Sequence, residues 1–163
     1  MDRKIYQKLL VWKEKNSKMP YMLVGARQTG KTYILTNFCK NEFKNYLYLN
    51  LDSMPEIKEI FETTIEPERI IKSIEAILSI NIDIENTIIF IDEIQVSEKA
   101  ICSLKYFCES ESNYKIVVAG SLLGVKINRF KSSFPVGKVW IDYLYPMDYE
   151  EFLLAINENN YLN

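Results

Sequence analysis

Eight consecutive residues, Gly25-Ala26-Arg27-Gln28-Thr29-Gly30-Lys31-Thr32, have the types and spacing to handle phosphate. They satisfy G-x-x-x-x-G-K-[ST] at every fixed position. Gly25 and Gly30 let the backbone turn tightly, so that successive N–H groups can point inward at phosphate oxygens. A helix starting behind the loop adds its positive end. In this reading Lys31 reaches the β- and γ-phosphates and the Thr32 hydroxyl ligates Mg²⁺. Gly25 to Thr32, with Tyr33 behind them, are the expected nucleotide contacts. A Gly-rich strand-to-helix turn can also exist without a ligand, so the flanking sequence matters.

A second group lies downstream. Ile88-Ile89-Phe90-Ile91 is an apolar run that ends in Asp92-Glu93. At the carboxyl end of a central strand, Asp92 would hold the Mg²⁺ hydration shell near Thr32. Glu93 would polarise the water that attacks the γ-phosphate. Acidic residues also end strands and cap helices for purely structural reasons; it is the upstream phosphate loop that gives this pair its chemical meaning. Ser121 is the third candidate, a hydroxyl that a parallel sheet could aim at the γ-phosphate or the attacking water. Its alternative is an ordinary turn serine after Gly120.

The flanking elements fit. Tyr21-Met22-Leu23-Val24 reads as a buried strand ahead of the loop, and Ile34, Leu35, Phe38 and Cys39 recur behind it at helical spacing. The segment from Asp2 to about Asn16 is predicted as an amphipathic helix, with Asp2 as a possible cap. Tyr46 to Leu51 reads as a second strand. Ser53-Met54-Pro55-Glu56 has capping-box spacing ahead of a short helix, and Asp52 is read as a helix cap that could also face the site. Pro67 opens a longer helix on which Ile70, Ile71, Ile74, Ile77 and Leu78 keep the 3.6 period. Ser97 caps a helix burying Ile101, Leu104, Phe107 and Cys108. Tyr114 to Ala119 is a fourth strand and Val139 to Tyr145 a fifth. Asp148 starts a final helix holding Phe152, Leu153 and Ile156. Strands alternating with helices predict a parallel sheet covered on both faces.

The 163 residues make one domain's worth of chain, 48% hydrophobic and 26% charged, as in an ordinary soluble globular protein. A net charge of −2 gives no global attraction for nucleic acid or acidic membranes. There is no histidine, and the three cysteines, Cys39, Cys102 and Cys108, form no C-x-x-C. Zinc sites of the Cys/His type and a Ser-His-Asp triad are thereby excluded within this chain. The isolated cysteines read as reduced core thiols. With neither a signal core at the amino terminus nor a run of about 18 apolar residues, the expectation is a cytoplasmic protein. The many tyrosines and phenylalanines are read as packing, because no basic stripe interleaves them.

Gly25–Thr32, Ile88–Glu93 and the strand ending at Ser121 resemble the Walker A, Walker B and sensor-1 elements of AAA+ ATPases. With Asp92-Glu93-Ile94-Gln95, Ala119-Gly120-Ser121 and the stretch Leu144-Tyr145-Pro146-Met147-Asp148-Tyr149-Glu150-Glu151-Phe152-Leu153, the chain resembles more narrowly a bacterial and archaeal AAA+ group. Those proteins usually continue into a C-terminal domain with a nuclease-like fold. The resemblance covers nearly the whole chain. It implies a P-loop NTPase three-layer α/β/α sandwich with a parallel five-stranded sheet of order 5-1-4-3-2.

The chain departs from that family in two places. It ends about ten residues after the last motif, with nothing to form a helical lid or supply a sensor-2 arginine. Residues 1–163 are therefore expected to be an AAA+-type ATPase core, truncated at its carboxyl end. Where the family often has Gly-Arg before the fifth strand, this chain has Gly137-Lys138. Of its four arginines, Arg3, Arg27, Arg69 and Arg129, Arg129 lies where such proteins often place a finger, and a solvated loop arginine is its bland alternative. Arg27 lies inside the phosphate loop, where it could touch phosphate or anchor the loop.

The leading expectation is an ATP hydrolase using Mg²⁺ to drive conformational change, with Lys31, Glu93, Ser121 and Arg129 as catalytic candidates. Thr32 and Asp92 are the metal candidates, and a homo-oligomer could share the site through an arginine in trans. A nucleotide-dependent switch with little turnover is the first rival. A small-molecule kinase ranks lower, for want of the basic clamp that phosphoryl transfer uses. A nucleic-acid partner would rest on family analogy alone.

Overall fold

A computed structural model describes residues 4–121 and 134–155. Helix α1 (Lys4–Glu14) precedes strand β1 (Tyr21–Gly25), which leads through a loop into α2 (Lys31–Glu42) and β2 (Asn45–Asn50). Helices α3 (Pro55–Thr63) and α4 (Pro67–Leu78) follow. Strand β3 (Thr87–Asp92) runs through a 3₁₀ turn (Ile94–Val96) into α5 (Glu98–Glu109). Then come β4 (Lys115–Gly120), β5 (Trp140–Leu144) and a last helix, α6 (Tyr149–Ala155).

The five strands form one sheet in the order β2-β3-β4-β1-β5, with every pairing parallel. This is the expected order 5-1-4-3-2 read from the other edge. A parallel sheet needs crossover helices, and these cover both faces. The pleat sorts side chains alternately. Tyr21, Leu23, Ile88, Phe90, Val117 and Ala119 pack on one side with Leu9 and Trp12 of α1 and Leu35 and Phe38 of α2. Met22, Val24, Ile89, Ile91, Ile116 and Val118 pack on the other with Ile57, Phe61, Ile70, Ile74, Ile101 and Leu104 of α3, α4 and α5. β1 and β3 are therefore buried on both faces, as their unbroken apolar runs predict.

Several local expectations are met. The Ser97 hydroxyl accepts from Ala100 N–H at 3.1 Å, capping α5. Pro67 stands at the first turn of α4. Asp148 Oδ1 accepts from Glu151 N–H at 2.8 Å and Glu151 Oε2 from Asp148 N–H at 3.2 Å, a reciprocal capping box at α6.

Others are corrected. The N-cap of α3 is Met54, without a side-chain bond. Neither Ser53 nor Asp52 caps it; both donate their backbone N–H to Asn50 Oδ1, at 3.0 and 2.9 Å. Asn50 Oδ1 thus holds the Ser53 N–H that a capping-box Glu56 would accept from. Ile77 and Phe152 keep helical periodicity yet are exposed. Among the described residues no helix is long and apolar enough to cross a membrane. The expected caps and contacts at Asp2 and Ile156 lie outside the described residues.

Candidate functional site

In a parallel sheet the strand ends share one edge, and here the carboxyl ends of β1, β3 and β4 carry Gly25, Asp92 and Gly120-Ser121. Ligands of open α/β sheets bind outside that edge. The loop between β1 and α2 bends there through two left-handed residues, Gln28 (φ 62°) and Gly30 (φ 93°). Gly30 thus has the conformational freedom the motif called for. Gly25 is needed for a different reason. A Cβ on it would lie 2.3 Å from the Leu144 carbonyl oxygen of β5, so close approach of two backbones excludes a side chain.

Gly30 is the N-cap of α2 and offers no side-chain acceptor. The helical ladder opens with Ile34 N–H donating to the Gly30 carbonyl at 3.0 Å. The N–H groups of Lys31, Thr32 and Tyr33 stand ahead of it, at the positive end of the helix. That arrangement suits an anion. Lys31 is buried, and its ammonium donates to the Gly25 carbonyl at 3.1 Å and to the Ala26 carbonyl. Burial lowers its pKa, against the opposing pull of the Glu93 and Asp92 carboxylates. Thr29 Oγ1 donates to the Ala26 carbonyl at 2.9 Å, which tightens the loop.

Asp92 is buried at the end of β3. Its Oδ2 accepts from the Thr32 hydroxyl at 2.8 Å and from the Tyr48 phenol at 2.9 Å, and its Oδ1 accepts from Glu93 N–H at 2.9 Å. Burial, with a contribution from Asp92, raises the Tyr48 pKa. Glu93 adopts a left-handed backbone (φ 54°), which costs a non-glycine residue on the order of 1–3 kcal/mol. Gln95, buried in the 3₁₀ turn, donates from Nε2 to Glu93 Oε2 and, at 3.1 Å, to Ser121 Oγ. Its Oε1 accepts from Ser121 N–H at 3.2 Å.

A cleft of about 460 Å³ is lined by Arg27, Gln28, Gly30, Lys31, Thr32, Tyr33, Glu93 and Ser121. The structure thus brings together every described residue predicted for the site, with Gly25 and Ala26 holding Lys31 and Asp92 behind Thr32. Arg129 lies outside the described residues. Lys138 precedes β5, at the sheet edge away from the cleft, and pairs with Glu109 at 3.4 Å. A larger cavity of about 720 Å³, lined by residues such as Asn16, Asp83 and Lys115, lacks this convergence of phosphate-type groups. Tyr48 and Gln95 were missed as site residues. No spacing rule announces Tyr48, while Gln95 stood in the Asp92-Glu93-Ile94-Gln95 stretch without a role.

The donor set fits Mg²⁺. One hydroxyl and one carboxylate, 2.8 Å apart, are the hard oxygen ligands that this ion takes alongside water and phosphate. Among the described residues no group of three acidic, cysteine or histidine side chains could hold a metal by protein ligands alone.

Fold and motif together define an α/β P-loop NTPase. The chain belongs to the AAA domain family, whose model matches residues 17–153. Among solved structures it is similar to the Walker-type ATPase PABY2304 of Pyrococcus abyssi, with a TM-score of 0.62 and 18% identity over 97% of this chain and 57% of that one. It is also similar to Cdc6p from Pyrobaculum aerophilum, with a TM-score of 0.57 and 13% identity over 95% of this chain and 48% of that one. For the Pif1 helicase from Candida albicans the TM-score is 0.54, at 14% identity over 98% of this chain and 44% of that one. At these identities the likeness is one of fold. The chain spans about half the length of these structures. No curated protein matches it in sequence.

Proposed function

We propose that this chain is the ATP-binding core of an AAA+ ATPase that hydrolyses Mg·ATP and converts the cycle into conformational change. The observation that carries the reading is the 2.8 Å bond between Thr32 Oγ1 and Asp92 Oδ2, which joins the loop to the acidic strand end. Gly25 to Thr32 and the first N–H groups of α2 hold the triphosphate, with Tyr33 beside it. Lys31 leaves the Gly25 and Ala26 carbonyls to neutralise the β- and γ-phosphates. Thr32 and Asp92 would hold Mg²⁺, which when bound would offset charge on the phosphate oxygens. Glu93 orients the attacking water and draws off its proton, and Ser121 donates to the γ-phosphate or that water. The products are ADP and inorganic phosphate.

Among the described residues, Arg27 and Lys31 are the cations lining the cleft. The reading includes a shared site, in which Arg129 of a second copy adds positive charge at the γ-phosphate. A finger in trans is worth on the order of 10³ to 10⁵ in rate. Steady-state Mg·ATP hydrolysis against protein concentration tests the reading, with Glu93→Gln as control. The expected per-chain rate rises with concentration and is lost in Glu93→Gln. A rate indifferent to Glu93→Gln contradicts it. Should ATP bind tightly while turnover stays near the unassisted rate at every concentration, the nucleotide-dependent switch replaces the ATPase.

A further inference from the structure

Glu93 has a flexible side chain, and a carboxylate that aims a water must be held to within about half an ångström. Its Oε2 accepts from Gln95 Nε2. Gln95 lies buried two residues on, in a 3₁₀ turn closed by Val96 N–H to the Glu93 carbonyl at 3.2 Å and Ser97 N–H to the Ile94 carbonyl at 3.1 Å. Ile94 is fully buried, and Ser97 is tied to α5 and, through its hydroxyl, to Glu62 at 2.7 Å. The amide has one satisfiable orientation. Ser121 N–H can only donate, so the group facing it at 3.2 Å is Oε1. The NH₂ end then faces Glu93 Oε2 and, at 3.1 Å, Ser121 Oγ. Because Ser121 Oγ accepts from Gln95, its own proton is directed elsewhere, and Ser121 lines the cleft.

We propose that Gln95 is a positioning residue that locks the Glu93 carboxylate and the Ser121 hydroxyl into one unit facing the cleft. The inference rests on the hydrolytic reading of Glu93. A strand-end serine and a strained glutamate on neighbouring strands thereby move together, so a shift of β4 would re-aim the carboxylate. Glutamine suits the task because one end must accept from a backbone N–H while the other donates twice; glutamate cannot do both.

The test compares single-turnover Mg·ATP hydrolysis and Mg·ATP affinity in the unaltered chain, Glu93→Gln, Gln95→Ala and the isosteric Gln95→Glu. The expected result is a rate lowered roughly 10- to 100-fold in both Gln95 variants with affinity nearly unchanged. A packing role alone leaves Gln95→Glu near the unaltered rate, and that result overturns the proposal. If Glu93→Gln abolishes hydrolysis while both Gln95 variants keep it, the lock alone falls. If Glu93→Gln changes nothing, the hydrolytic reading falls and the lock with it. Nuclear magnetic resonance of the Gln95 side-chain amide is independent of turnover. Slow proton exchange, with both resonances moving in Glu93→Ala, supports the lock; free exchange and no response overturn it.

Discussion

Thr32 and Asp92 are sixty positions apart in the chain, and the Thr32 hydroxyl donates to Asp92 Oδ2 at 2.8 Å. The β1–β4 and β3–β4 registers bring this about, by setting the ends of β1 and β3 on one edge with β4 between them. Asp92 then serves two ends at once, since it also accepts from Tyr48 at 2.9 Å and from Glu93 N–H at 2.9 Å.

Replacing Asp92 separates its structural share from its metal share. Asp92→Ala leaves the Glu93 N–H without its acceptor, and stability should fall by about 1–3 kcal/mol. Asp92→Asn keeps an acceptor and the volume but loses the charge. It should fold nearly as well while Mg²⁺ no longer strengthens nucleotide binding. Urea unfolding and nucleotide titrations with and without Mg²⁺ distinguish the two; an unchanged Mg²⁺ effect in both variants would remove Asp92 from the metal site.

The two loop glycines should fail differently. Gly25→Ala sets a methyl 2.3 Å from the Leu144 carbonyl oxygen, an overpacking cost of about 1–3 kcal/mol. Gly30→Ala meets no atom within 4 Å, but its φ of 93° costs an L-residue about 1–2 kcal/mol. Asparagine tolerates the left-handed region. Gly30→Asn should therefore recover part of the stability, whereas Gly25→Asn should be no better than Gly25→Ala. Equal recovery at both positions, read from urea midpoints, would refute the steric account of Gly25.

Alkaline pH should destabilise the fold through Cys39. Burial pushes its thiol from 9.0 to about 12. Above pH 9 the unfolded chain gives up a proton that the folded chain keeps, so stability falls as pH rises from about 9 towards 12. Between pH 8 and 10 this one group removes about 1 kcal/mol. Tyr21 is raised in the same direction by burial and by Asp142, and acts at still higher pH. Urea midpoints at pH 8 and pH 10 measure the slope. Cys39→Ala should flatten it, and an identical slope in that variant would remove Cys39 as the cause.

Much of the fold was legible in the sequence because β1 and β3 are unbroken apolar runs, α4 is periodic, and Ser97 and Pro67 carry local signals that nothing in the packing overrides. The candidate phosphate loop and the Asp92-Glu93 pair stand out as candidates for the same reason: the residues that mark them are contiguous. Tyr48 was not. Its phenol reaches Asp92 through the β2–β3 register, in which Asn50 stands beside Asp92, and register is a tertiary property. Gln95 stood in a short motif, yet its task depends on Ser121, twenty-six positions away. The capping box at Ser53 failed because the Asn50 side chain took the Ser53 N–H that Glu56 would have accepted from, a competition that spacing alone cannot rank. Ile77 and Phe152 show that periodicity marks a helix without saying which of its apolar positions are buried.

Equilibrium titration of Mg·ATP into the unaltered chain, Lys31→Ala and Glu93→Gln tests the central claim most directly. The account predicts saturable binding in the unaltered chain. Glu93→Gln should bind at least as well, because that carboxylate acts on the water and not on the phosphates. Lys31→Ala should lose most of the affinity, since it removes the buried cation at the β- and γ-phosphate position. No saturable binding by the unaltered chain, or binding indifferent to Lys31→Ala, would contradict a nucleotide site built on Gly25 to Thr32.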